Sequence, residues 1–223
     1  MHVFFFSAKL CYIRGNQLPK NQAMSYDKDY DTIYEGLSLH IQHVDSIDHE
    51  ALKSLARRFT IRTYKEGDDL WELGTSLGQL HFILTGAFAE YLQEGRTPHL
   101  LRFYSKNRFA YSEDLILYSS RPATFVKCLV EARVASIPAN VLEEYLMNEK
   151  LGNQLLTSLI ELSMTEYRNT TYEMLQTSGI HRIHAAMEQF PEVLDLIPRK
   201  ELADYLGISR ASLFRSLKQI ENV

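Results

Sequence analysis

The sequence predicts an α+β chain in which an all-β amino-terminal domain leads into one long helix and then a carboxy-terminal helix-turn-helix. Three observations carry this. Between Thr60 and Pro138 short apolar runs are punctuated by glycines, five of the ten falling from Gly67 to Gly95, the turn spacing of an all-β barrel or jelly roll. After Pro138 the apolar residues switch to a 3.6-residue period and hold it to the Ser178-Gly179 break. The last 26 residues, Pro198 to Val223, place a small residue, a glycine and a set of aliphatics where two short helices crossing at a steep angle need them.

Residues 1–33 read as a poorly defined extension. Its apolar run Val3-Phe4-Phe5-Phe6 is followed too soon by Lys9 and Arg14 for a secretory segment or a membrane span, and Met24 has the look of the true start. Residues 34–138 form the predicted β domain, prefaced by helical patterns at Tyr34–Leu39 and Asp48–Phe59; the second puts Leu52, Leu55, Ala56 and Phe59 on one face. Strands are expected at Phe59–Tyr64, Asp69–Glu72, Gln79–Thr85, Ala87–Gln93, His99–Tyr104 and Thr124–Ile137, with turns at Gly74, Gly86 and Gly95.

The long helix occupies 139–177. Leu151, Leu155, Leu159 and Leu162 make one apolar stripe, and Leu156, Ile160, Met164, Tyr167 and Met174 a neighbouring one. A helix with apolar residues on more than one face must bury them against more than its own domain, and pairing of two such helices in a homodimer is the simplest solution. Packing on the β domain alone is the alternative.

Residues 178–223 carry the chemistry. Ala203 is the small residue of the first short helix, Gly207 supplies the turn, and Leu202, Leu206, Ile208, Leu213 and Leu217 hold the second helix on the first. Ser209 is placed to cap that second helix, and Pro198 opens the segment where its missing N–H costs nothing. Arg210, Ser212, Arg215 and Lys218 are left facing outward, a face suited to a major groove, where arginine binds guanine in a bidentate manner and lysine or serine holds phosphate. An ordinary surface hairpin with a solvated basic face is the competing reading.

Charge agrees with contact through one end. The 223 residues carry a net charge of −4, but Pro198–Val223 has five Lys/Arg against three Asp/Glu, so the rest stands at −6. Composition, 45% hydrophobic and 23% charged, is that of a soluble globular protein. Cys11 and Cys128 are too few and too far apart for a disulfide framework, a zinc site or an iron–sulfur cluster, which makes the cytoplasm the expected compartment. The pairs His40/His43 and His181/His184 lack a third ligand, so no metal or cofactor is expected. Only His81 and His99 fall in the strand region, which excludes a histidine-rich metal-dependent jelly-roll enzyme. With no nucleophile elbow, phosphate-cradling loop or paired catalytic carboxylates, no enzymatic activity is expected.

The order of these parts resembles the Crp–Fnr family of bacterial transcription factors, from about Ser46 onward. Tyr64-Lys65-Glu66-Gly67-Asp68-Asp69-Leu70-Trp71-Glu72-Leu73-Gly74 is similar to the family's first glycine-punctuated hairpin, and Leu80-His81-Phe82-Ile83-Leu84-Thr85-Gly86-Ala87-Phe88 to its next strand and turn. Ser136-Ile137-Pro138 is similar to the stretch that closes the roll. The resemblance implies a β-roll of the cyclic-nucleotide-binding kind, a dimerisation helix and a winged-helix-like DNA-binding domain that works as a homodimer on double-stranded DNA, with RNA polymerase a further candidate partner and no membrane. Arg210 and Arg215 match base-contacting positions and Ser209 and Ser212 phosphate or cap positions; Arg199 and Lys218 complete the implied DNA set, and Ala211 stands where a base-reading glutamate is familiar. The chain stops at Val223, leaving no room for the usual β-wing.

For an effector, the resemblance implies Glu113 on the ribose and Arg121 on a cyclic phosphate, with Ser112, Ala123 and Thr124 beside them. Ser112 stands in place of the family's glycine, and Pro122 removes a backbone donor. A cyclic nucleotide, another small effector and no effector all stay open at this point. So does a different function, that of a regulatory module acting through protein partners.

Overall fold

The structure, a computed structural model, describes residues 20–41, 48–75, 78–112, 122–146, 149–175, 178–191 and 194–221. Six antiparallel strands form one sheet: β1 (Thr60–Tyr64), β2 (Asp69–Trp71), β3 (Gln79–Glu94), β4 (Thr97–Ser105), β5 (Phe109–Ala110) and β6 (Thr124–Pro138). The order is β1-β6-β3-β4, with β2 on β6 and β5 on β3. The helices are α1 (Lys20–His40), α2 (His49–Ala56), α3 (Ala139–Leu146), α4 (Glu149–Leu175), α5 (Gly179–Gln189), α6 (Arg199–Tyr205) and α7 (Arg210–Glu221).

Two local outcomes differ from the sequence pattern. Gly86 does not end a strand: β3 runs through it, and the register against β6 slips between Ile83 and Phe88. A glycine at φ +86° absorbs the slip, the signature of a bulge rather than a reversal. The first helix begins at Lys20 rather than Tyr34. Its polar first half shows no clear period, but Asp29 is buried and pairs with Arg133 of β6 at 2.5 Å, an anchor that periodicity does not reveal.

The largest apolar cluster joins α1, α2, the sheet, α3 and α4 through Ile33, Leu37, Leu52, Phe59, Phe82 and Leu159. Leu155 and Leu159 of the first α4 stripe are almost fully buried here, whereas Ile160, Met164, Tyr167 and Met174 of the second stripe lie exposed on the single chain. Inside the sheet a second cluster packs Trp71, Ile83, Phe88, Tyr104, Val126 and Val134. Cys128 belongs to it; burial pushes its thiol up to about 11, and the S–H donates to the Val130 carbonyl, so it is an inert core residue.

A third cluster is one the sequence does not announce. Ala87, Ala89 and Phe103 of the sheet pack against Ile183, Phe190, Ile197, Leu202, Ala203 and Leu206 of the carboxy-terminal helices. Phe103 meets Phe190 and Tyr205 edge to face, at centroid separations of 5.4 and 4.9 Å. The Tyr91 hydroxyl donates to Glu201 Oε2 at 2.9 Å. Burial first, then that carboxylate, holds the Tyr91 phenol well above its ordinary value, so it remains a donor. The carboxy-terminal helices are thus seated on β3 and β4 through one face, which fixes the direction of the other.

Candidate nucleic-acid interface

Pro198 stands at the N-cap position of α6 without a side-chain cap bond, and Leu202 and Ala203 of this helix are buried. Its end is a Schellman turn: Gly207 at φ +60° donates to the Asp204 carbonyl and Ile208 N–H donates to the Ala203 carbonyl, both at 3.0 Å. Ser209 then starts α7 as its sequence position implies, its Oγ accepting from Ser212 N–H at 3.1 Å. Leu213 is fully buried and Leu217 partly so, which turns Arg210, Ala211, Phe214, Arg215 and Lys218 outward. These positions follow the i, i+1, i+4, i+5, i+8 pattern of a single helical face.

Of the six residues that the sequence assigns to DNA, the structure brings together five. Ser209, Ser212 and Arg215 form one hydrogen-bonded group, with the Ser209 and Ser212 hydroxyls 2.9 Å apart and Arg215 Nη2 donating to Ser212 Oγ at 3.3 Å. Arg210 and Lys218 lie exposed on the same helix. Arg199 is exposed at the head of α6 and lines a different, largely apolar cleft with Leu194, Leu206, Leu217 and Ile220.

Sequence reasoning missed Arg182. It lines a polar cleft of about 580 Å³ with Ser178, Ser209, Ser212, Arg215 and Gln219, between the start of α5 and the start of α7. Its Nε is buried with no hydrogen-bond partner in the structure, while Nη1 reaches the Met174 carbonyl at 3.5 Å. Ser178 precedes α5 without a side-chain cap bond. The cleft therefore offers two guanidinium groups, several hydroxyls and the amino-terminal end of a helix, all of which favour an anion. Arg182 sits in a segment whose sequence shows only an amphipathic helix, and nothing there signals the approach of α7.

Of the effector residues, Glu113 and Arg121 lie outside the described residues. Ser112 is buried two residues past β5, Ala123 is exposed, and Thr124 Oγ1 accepts from Trp71 Nε1 at 3.4 Å. Close by, Glu90 is 1% exposed, with Arg102 Nε at 2.9 Å and the Tyr104 hydroxyl donating to it at 2.6 Å. Arg102 also reaches α4, donating to the Tyr167 hydroxyl and lying 4.9 Å from its ring centroid. A buried ion pair thus ties the sheet interior to the long helix.

His81 is buried beside Trp71, its ring stacked at 17° and its Nδ1 sharing a 2.8 Å hydrogen bond with Ser136. Burial brings its pKa down from 6.5 to about 3. Below 6.5 the unfolded chain takes up a proton that the folded chain refuses until about pH 3, so stability is full above 6.5 and falls through that window as pH drops. The expected slope is up to about 1.4 kcal/mol per pH unit, and His40, also lowered chiefly by burial, adds in the same direction. Urea melts at pH 5 and pH 7 check this; His81→Gln should flatten the dependence, and an unchanged slope would assign it to other groups.

No protein-family model matches the sequence, and no curated protein is significantly similar to it. Solved structures are similar in fold. FixK2 from Bradyrhizobium japonicum matches with a TM-score of 0.62 at 12% identity, over 74% of this chain and 85% of its own. CLP, the c-di-GMP responsive global regulator of Xanthomonas campestris, matches with a TM-score of 0.58 at 16% identity, over 78% and 92%. A cyclic nucleotide-binding domain from Methylobacillus flagellatus matches with a TM-score of 0.55 at 18% identity, over 64% and 80%. Among the described residues no helix is long and apolar enough to cross a membrane. Over most of its length, the chain shares its fold with regulators of the Crp–Fnr family.

Proposed function

We propose that the protein is a DNA-binding transcription regulator of Crp–Fnr type, a homodimer that reads a near-palindromic operator with α6 and α7 acting as a helix-turn-helix. The observation that carries this is the outward face of α7: three basic side chains on one exposed arc, on a helix capped by Ser209 and held from behind by Leu213. That face fits a major groove, while the Arg182 cleft beside it suits the phosphates that set register along the duplex. The exposed α4 residues Ile160, Met164, Tyr167 and Met174, spaced four, three and seven apart, suit a coiled-coil seam with a second copy. The same reading keeps an effector site around Ser112, Glu113, Arg121, Ala123 and Thr124, in a chain whose fold is shared with a c-di-GMP responsive regulator.

The test is to incubate the full chain with a randomised double-stranded DNA pool and sequence what it retains at moderate salt. A two-fold symmetric motif with half-sites about one helical turn apart supports the reading; retention no better than that of a scrambled duplex overturns it. On the recovered motif, Arg215→Ala should weaken binding by about 1–3 kcal/mol. Unchanged affinity would remove α7 from the groove.

A further inference from the structure

The recognition face carries a residue that DNA binding through charge does not explain. Phe214 is 58% exposed and, among the described residues of α6 and α7, is the only large apolar side chain left in water. It lies between Arg210 and Lys218 on the outward arc, one turn from the exposed Ala211. The cluster that seats α7 on the rest of the chain uses Leu213, Leu217 and Ile220 and does not include Phe214. An aromatic ring flanked by cations is complementary to a surface that is apolar at its centre and anionic at its rim.

We infer that Phe214, with Ala211 beside it, is a specificity-determining pair that reads the C5-methyl group of thymine in the operator; the inference rests on the DNA-binding reading above. Among the base edges in the major groove, the thymine methyl is the apolar target, and alanine and phenylalanine are side chains that contact it. The flanking charges supply the rest of the complementarity: Arg210, Arg215 and Lys218 face phosphates and guanines while the ring covers the methyl. The half-site should therefore contain a thymine beside the arginine-read guanine, a requirement set by apolar contact and insensitive to salt.

The test uses the duplex recovered from the randomised pool, with each thymine replaced in turn by deoxyuridine, which removes only the methyl group. Fluorescence anisotropy with the full chain should show one symmetric position where uracil weakens binding about fourfold per half-site, and about 15-fold when both are changed, the worth of burying one methyl at each. Phe214→Ala should bind the thymine and uracil duplexes equally, while Arg215→Ala should keep the discrimination at lower affinity. The change lies in the DNA, so the wild-type arm involves no refolded variant. Equal affinity of the wild type for thymine and uracil at every position overturns the inference and leaves the operator reading standing, as does a uracil effect that survives in Phe214→Ala. Failure to retain any duplex overturns the operator reading itself.

Discussion

Replacing Arg102 with methionine should lower folding stability by roughly 3–5 kcal/mol, the usual cost of stripping the partner from a buried charge. Glu90 is the reason. Its carboxylate is 1% exposed, held by Arg102 Nε at 2.9 Å and by the Tyr104 hydroxyl. Hydrogen bonds from neutral groups do not offset the desolvation of an ion, so removing the guanidinium leaves a poorly compensated charge in the sheet interior. Urea denaturation of the full chain measures the loss. The double variant Glu90→Gln/Arg102→Met removes both charges and should recover most of it, since an amide can still accept from Tyr104 and methionine fills the same channel. No recovery would show that the guanidinium matters mainly for its contact with α4.

That contact is a second reason to expect a large effect. Arg102 stacks on Tyr167 and lies 4.0 Å from Glu166, which Arg108 also holds at 3.3 Å. Tyr167 belongs to the exposed stripe of α4 proposed as the dimer seam. The guanidinium thus bridges the sheet interior to the face a second copy would cover, so a change inside the sheet reaches α4 through one side chain. Loss of Arg102 should then weaken dimerisation as well, read by sedimentation of the variant against the wild type at conditions where both are folded.

The parts legible in the sequence were those set by local rules. The α6–α7 pair could be read because a buried small residue, a positive-φ glycine and a serine cap are each required by backbone geometry, and Ala203, Gly207 and Ser209 supply them in order. The first α4 stripe was legible because Leu155 and Leu159 keep helical period against the sheet. What stayed hidden depends on distant segments meeting. Phe103 reads as an ordinary strand residue until Phe190 and Tyr205 close on it. Arg182 becomes part of the candidate interface only because α5 lies beside α7. Glu90 and Arg102 alternate with aromatics as solvent-facing strand residues do, and only the fold shows that they face each other in the interior. Phe214 is hidden for a different reason: on an outward helix face the legible pattern is charge, and a single apolar side chain there belongs to no period.

Gly86→Ala is the second large expected effect, and it separates two ways in which a glycine can be needed. Gly86 and Gly67 share the same backbone angle, φ +86°. At Gly67 a Cβ would meet nothing within 4 Å, so Gly67→Ala should cost only the dihedral strain, about 1 kcal/mol. At Gly86 the same atom would sit 2.6 Å from Ala132 Cα and 2.8 Å from the Glu131 carbonyl oxygen. Both are backbone atoms of β6, which cannot rotate away as a side chain could. Accommodating the methyl means prising β3 from β6 at the register slip, beside the buried Ala132, Val134 and Phe88. Strain and overpacking together should then cost about 3–5 kcal/mol. Thermal melts of the two variants against the wild type give the comparison directly. Equal losses at Gly67 and Gly86 would mean that the bulge can open without penalty and that the backbone angle alone selects glycine; a loss several-fold larger at Gly86 assigns the position to the close approach of β3 and β6, through which the sheet and the helices seated on it are held in register.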